Sequence, residues 1–123
     1  MRRILVVDDA PSNRKMLIRL LTRKGFVCVE AEDGQQALNA YSQLVDSGQQ
    51  LTAIITDYEM PVMNGPQATK KFREMCCKIP IVGVTGNMLE ADVQYFKEQG
   101  ADEVMGKPLD LVVLERILNR YAI

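Results

Sequence analysis

Polar residues stand directly behind four short apolar runs of this chain. Asp8 and Asp9 follow Ile4-Leu5-Val6-Val7, and Asp57 follows Ile54-Ile55-Thr56. Thr85 follows Ile81-Val82-Gly83-Val84, and Lys107 follows Val104-Met105-Gly106. Brought together, three carboxylates, a hydroxyl and an ammonium make a particular kind of site. Like charges within a few ångströms disfavour joint ionisation and raise at least one pKa. One lysine cannot balance three carboxylates, whereas a hard divalent cation can. Mg²⁺ suits one or two carboxylates completed by waters and a substrate phosphate. Phosphoryl transfer asks mainly for positioning and charge neutralisation, and an aspartate can itself be the nucleophile. The set reads as a Mg²⁺ site that receives a phosphoryl group, provided the fold brings the four run ends to one place.

Singly, each residue has a plainer reading. Asp8 or Asp9 can cap a helix, and Asp57 can open the turn before Met60-Pro61. Thr85 can be a half-buried strand residue and Lys107 a solvated one. Only the joint placement speaks for chemistry, so the elements behind it decide.

Apolar runs alternate with amphipathic stretches along the chain. Ile4–Val7 predicts a buried strand. A helix is expected from about Ser12 to Lys24, with Leu17, Leu20, Leu21 and Lys24 at helical spacing, Ser12 as N-cap and Gly25 as stop. Phe26–Glu30 predicts the second strand. Gly34 opens a helix whose stripe is Ala37, Tyr41 and Leu44, widened by Leu38 and Val45. Ala53–Thr56 is a third strand, and a helix carrying Ala68, Phe72 and Met75 follows the break at Pro61–Gly65. Ile81–Val84 is the fourth strand; the next helix places Leu89, Val93 and Phe96 on one side and stops at Gly100. A short strand, Glu103–Gly106, precedes a last helix with Leu114, Ile117, Leu118 and Tyr121 on one face. Five βα units with continuous apolar strands mean an α/β fold, a parallel sheet covered on both faces. The flavodoxin-like doubly wound order 2-1-3-4-5 suits them, with strands one and three meeting at the switch point where such sheets bind ligands. No repeat, linker or low-complexity segment interrupts residues 1–123, which read as one domain.

Composition removes other classes. Fifteen basic residues against sixteen acidic ones, a net charge of −1, argue against a nucleic-acid module, which usually shows a basic stripe. No apolar run approaches the ~18 residues of a membrane span. The start is basic and then apolar, but its apolar run falls short of the ~7–15 residues of a signal peptide, so a cytoplasmic protein is expected. Cys28, Cys76 and Cys77 lack metal-ligand spacing and read as reduced thiols. The chain has no histidine, which excludes a Ser-His triad, a histidine general base and a zincin site. It also means that any phosphohistidine donor is another protein or another domain.

At these residues the sequence resembles the receiver domain of two-component response regulators. The likeness spans the whole chain and is anchored on Val6-Val7-Asp8-Asp9, Asp57 through Gly65, Val84-Thr85 and Lys107-Pro108. The run Asp9-Ala10-Pro11-Ser12-Asn13-Arg14-Lys15 further resembles receivers of hybrid histidine kinases. The resemblance implies Asp57 as phosphoacceptor, Asp9 as direct Mg²⁺ ligand, Asp8 acting through water or hydrogen bonds, and the Glu59 backbone carbonyl as a further ligand. It implies Thr85 and Lys107 as partners of phosphoryl oxygens, a cis peptide between Lys107 and Pro108, and self-catalysed phosphorylation and dephosphorylation rather than an enzyme. The implied partner is a histidine kinase or a histidine-containing phosphotransfer domain, or a hybrid kinase joined covalently. Gly86, in a position often held by alanine, keeps the phosphoryl pocket open. Val104 departs from the pattern, since the residue three before the lysine is usually aromatic in the family. Glu59 and Asn87 lie two residues past Asp57 and Thr85 and are expected to flank the mouth of the site.

Three other readings compete. A flavodoxin-type cofactor binder needs a phosphate cradle after strand one, where this chain has acidic Asp8-Asp9. An aspartyl-phosphate hydrolase resembles Asp-x-Asp at the middle strand, where this chain has Asp57 and Glu59, and it needs residues for a cap. A receiver-like interaction module that works without phosphorylation is opposed by the intact acidic set.

Overall fold

The computed structural model describes residues 2–123. Five strands, β1 (Arg3–Val7), β2 (Val27–Ala31), β3 (Ala53–Asp57), β4 (Ile81–Thr85) and β5 (Glu103–Gly106), alternate with five helices. The helices are α1 (Pro11–Arg23), α2 (Gly34–Asp46), α3 (Gly65–Glu74), α4 (Glu90–Glu98) and α5 (Leu111–Arg120). The sheet is parallel throughout, in the order β2-β1-β3-β4-β5. Alternating strand residues feed two cores. Ile4, Val6, Ile55, Val82 and Val84 pack with Leu17 and Leu21 of α1 and Leu114, Ile117 and Leu118 of α5. Leu5, Val7, Ile54 and Ile81 pack on the other face with Ala37 and Leu38 of α2 and Ala68 and Phe72 of α3.

Several local expectations are corrected. Ser12 does not cap α1; Ala10 is the N-cap, without a side-chain hydrogen bond, and Pro11 holds the first helical turn. Proline presets the helical φ and has no N–H that needs a cap, which moves the start ahead of Ser12. Lys24 is the C-cap of α1 rather than part of its stripe, and Gly25 ends it at φ +93°. Strand β2 starts one residue late and runs on to Ala31, because Ala31 pairs with Val7. Val45, Met75 and Leu89 face solvent instead of the core. Met75 and Leu89 are cap residues, beyond the last or before the first helical turn, so helical spacing does not set their direction.

Asp57 is itself the last residue of β3, in register with Val84. The chain must then turn sharply into α3. Asn64 does this with a reciprocal capping box to Gln67, at 2.9 Å each way. Gly65 donates its N–H to the Tyr58 carbonyl at 2.8 Å, closing the loop on the strand end. Helix α4 has one fully buried side chain among the described residues, Phe96, whose ring lies directly on Gly83 of β4. It also meets the Tyr58 ring edge to face, with centroids 5.4 Å apart.

Candidate phosphoryl and metal site

The carboxyl ends of β1, β3, β4 and β5 converge as the sequence predicted. Carboxylate oxygens of Asp8, Asp9 and Asp57 lie within 4.8 Å of one another. The Lys107 ammonium stands 3.0 Å from Asp57 Oδ1 and 3.8 Å from Asp8 Oδ2. Lys107 is held there by its own N–H, which donates to the Thr85 carbonyl at 3.0 Å, and its bond to Pro108 is cis. Thr85 is buried at the end of β4, and Glu59, Gly86 and Asn87 are exposed, each within two residues of Asp57 or Thr85. Val104 lies half-buried opposite Gly83.

Asp57 is only 5% exposed. Burial pushes its carboxyl above the usual range; the Lys107 hydrogen bond pulls it back, and the Asp8 charge pushes it up again. Its Oδ1 accepts from Lys107 and from the Tyr58 N–H at 2.9 Å, which leaves Oδ2 without a hydrogen-bond donor among the described residues. Asp8 is fixed on three sides. Its N–H donates to the Ala31 carbonyl at 3.1 Å, its Oδ1 accepts from the Ala10 N–H at 2.9 Å, and its carbonyl accepts from Arg14 Nη1 at 2.7 Å. The Thr85 hydroxyl accepts from the Asn87 N–H at 3.1 Å and lies 3.2 Å from the Asn87 carbonyl, so it is tied to the loop that follows it.

The donor set tests the fit of Mg²⁺. Its atoms are all oxygen, two of the three carboxylates are nearly buried, and one ammonium leaves the cluster negative. Hard divalent cations take such a set, and softer ones prefer nitrogen or sulfur. Tyr58's carbonyl is engaged by Gly65, whereas that of Glu59 accepts no main-chain hydrogen bond among the described residues and is available as a ligand.

The model of the response regulator receiver domain matches residues 4–119. The chain belongs to this family. Receiver domains are signalling modules, and their fold is the one seen here. The sensor histidine kinase RcsC of Escherichia coli K12 is 37% identical over 97% of the chain, which spans 12% of that protein's length. The two-component response regulator 24 of Arabidopsis thaliana is 37% identical over 94% of the chain and 81% of its own length. Among solved structures, the receiver domain of the sensor histidine kinase PA1611 from Pseudomonas aeruginosa PAO1 is 30% identical, with a TM-score of 0.85 over 98% of this chain and 96% of that one. That crystal structure holds a magnesium ion coordinated in its active site cleft.

The receiver's structure adds residues that spacing did not single out. The Tyr58 N–H bonds both Asp57 and the Val84 carbonyl, a main-chain group that no side-chain pattern reveals. Arg14 did carry a signal. It lies on the buried face of α1 with Leu17 and Leu21, where a charged residue is rare unless paired. No helix is long and apolar enough to cross a membrane among the described residues.

Proposed function

We propose that residues 1–123 act as one phosphoacceptor unit in which Asp57 takes a phosphoryl group from a phosphohistidine of a kinase or phosphotransfer domain on the cytoplasmic side of a signalling system. The observation that carries this is the buried Asp57 carboxylate, with one oxygen tied to Lys107 and the group clustered with the carboxylates of Asp8 and Asp9. Asp57 Oδ2 attacks phosphorus, the P–N bond breaks, and its electron pair returns to the donor's imidazole nitrogen, which takes up a proton. An acyl phosphate on Asp57 results. Lys107 and the Thr85 hydroxyl pair with phosphoryl oxygens, spreading the charge that the transfer brings. Asp9, Asp57 and the Glu59 carbonyl are the ligands we assign to Mg²⁺, with Asp8 acting through water. The bound ion would neutralise the carboxylates and the incoming phosphoryl oxygens. Supporting this reading, the chain is 37% identical to a sensor histidine kinase over 97% of its length. The test is incubation with a small-molecule phosphodonor and Mg²⁺. Stable stoichiometric labelling supports the reading, and no labelling refutes it in favour of a phosphorylation-independent module.

Glu59 and Asn87 are exposed two residues past Asp57 and Thr85, and from the mouth that this spacing implies they would admit, orient or block the hydrolytic water. Both Glu59→Ala and Asn87→Ala should change the dephosphorylation rate; parental rates in both variants would remove them from this role.

The output follows from Thr85. When its hydroxyl turns to the phosphoryl group, its hydrogen bonds to Asn87 are broken. Valine at 104 is too small and too stiff at χ1 to swing as an aromatic would. The change on activation is therefore small and centred on residues 85–90, at the edge of α4. Comparing the free protein with its beryllofluoride complex by amide chemical shifts checks this. Large shifts at Val104 and across α5 with the 85–90 loop unmoved would contradict it.

A further inference from the structure

Arg14 is 6% exposed, which is unusual for a charged residue one turn into a helix. Two of its nitrogens donate hydrogen bonds and the third lies near a carboxylate. Nε donates to Glu30 Oε1 at 2.8 Å, Nη1 to the Asp8 carbonyl at 2.7 Å, and Nη2 lies 3.8 Å from Glu32 Oε1. The Asp8 carbonyl needs this donor because the β1–β2 ladder has ended at Val7 and Ala31. Arg14 thus ties the turn after β1 to the end of β2. The hydrogen bond from Arg14 holds the Glu30 carboxyl below its ordinary range.

We infer that Arg14 is a positioning residue for the cation site: by clamping the Asp8 carbonyl to Glu30, it fixes the turn that carries Asp8 and Asp9. The inference rests on the proposed Mg²⁺ reading and says which side chain makes that site tight. Its sign separates it from simple electrostatics. Arg14→Met removes a positive charge behind three carboxylates, and charge alone would then tighten Mg²⁺ binding. Loss of a clamp loosens it instead. Groups that orient metal ligands change metal affinity about 10- to 100-fold when removed. Arg14→Lys keeps the charge, but an ammonium lacks the planar fork that reaches carbonyl and carboxylate together.

The experiment follows Mg²⁺ titration and amide hydrogen exchange by NMR in the parent, Arg14→Met and Arg14→Lys, with thermal unfolding as a check on folding. Mg²⁺ affinity should fall about 10-fold in Arg14→Met, at the low end for such orienting groups, and less in Arg14→Lys. The amides of Asp8, Asp9 and Ala10 should exchange faster in both while those of β3 and β4 hold. Unchanged or tighter Mg²⁺ binding in the folded variants would overturn the clamp. If Arg14→Met does not fold, the Lys variant alone decides. If the parent itself takes no Mg²⁺, the metal reading fails, and exchange at residues 8–10 still tests the clamp.

Discussion

Asp57→Asn is expected to lose phosphorylation by kinase and small-molecule donor alike while gaining stability in the absence of metal. The first half follows from the nucleophile. An amide nitrogen or oxygen cannot replace the carboxylate, and removing a nucleophile lowers rates by several orders of magnitude. Full labelling of the variant would sink the assignment of Asp57. The second half follows from the cost of holding Asp57 charged. Burial and Asp8 together raise its carboxyl above the ordinary range, against the pull of Lys107. With a raised pKa, the folded state binds more protons than the unfolded state just above the ordinary carboxylate range. Stability must then fall as pH rises through that window. Asparagine does not titrate, so the same stretch of the pH–stability curve should flatten, and the unfolding midpoint at neutral pH should rise. Mg²⁺ should narrow the gap, because it stabilises only a parent that binds it. Chelator-treated protein melted across the pH range, with and without Mg²⁺, measures all three effects. A less stable variant in chelator would mean that the Lys107 pair outweighs burial.

The sequence made the plan of this site legible because its chemistry sits at strand ends. Once the apolar runs were recognised as parallel strands, Asp8, Asp57, Thr85 and Lys107 had to share one edge of the sheet, and they do. Element type was equally clear where a stripe was long, as in α5 with Leu114, Ile117 and Leu118. What escaped were features that depend on a neighbour rather than on periodicity. Leu89 fits the helical spacing of Phe96, yet it is the N-cap of α4 and 60% exposed. Ser12 has the chemistry of a cap, but Pro11 takes the helix start. Arg14 showed as a charge on the buried face of α1, but its role did not. Its value lies in the carbonyl of Asp8 and the carboxylate of Glu30, and a main-chain acceptor leaves no mark in a sequence. The same holds for the two glycines that let aromatic and backbone groups close on the phosphoacceptor.

Those glycines should lose stability alike on substitution but differ in what relieves the clash, although both contacts involve Phe96. A Cβ at Gly83 would stand 2.4 Å from the Phe96 ring, and all three of its nearest atoms belong to that side chain. One at Gly65 would stand 2.2 Å from the Asp57 carbonyl oxygen and 2.9 Å from the ring. Overpacking of this kind costs about 1–3 kcal/mol. At roughly 4 °C per kcal/mol for a domain of this size, either alanine should lower the midpoint by about 4–12 °C. The two clashes differ in what can yield. Phe96→Leu shortens the ring away from Gly83, so Gly83→Ala combined with Phe96→Leu should be more stable than the sum of the single changes by about 1 kcal/mol. No truncation of Phe96 moves the Asp57 carbonyl. In Gly65→Ala the relief must come from the α3 start or from the Asp57 peptide itself, which shifts the carboxylate against Lys107 and the Tyr58 N–H. Displacements near 1 Å at a reacting group cost about 100-fold in rate. Gly65→Ala should therefore phosphorylate slowly with or without Phe96→Leu, while the Gly83→Ala pair keeps most of its rate. The two double-mutant cycles, read by melting and by initial labelling rate, distinguish a side-chain clash from a backbone one. Equal rescue of both glycines by Phe96→Leu would show that the Asp57 carbonyl gives way as easily as a ring, and the close approach of α3 would then not fix the phosphoacceptor.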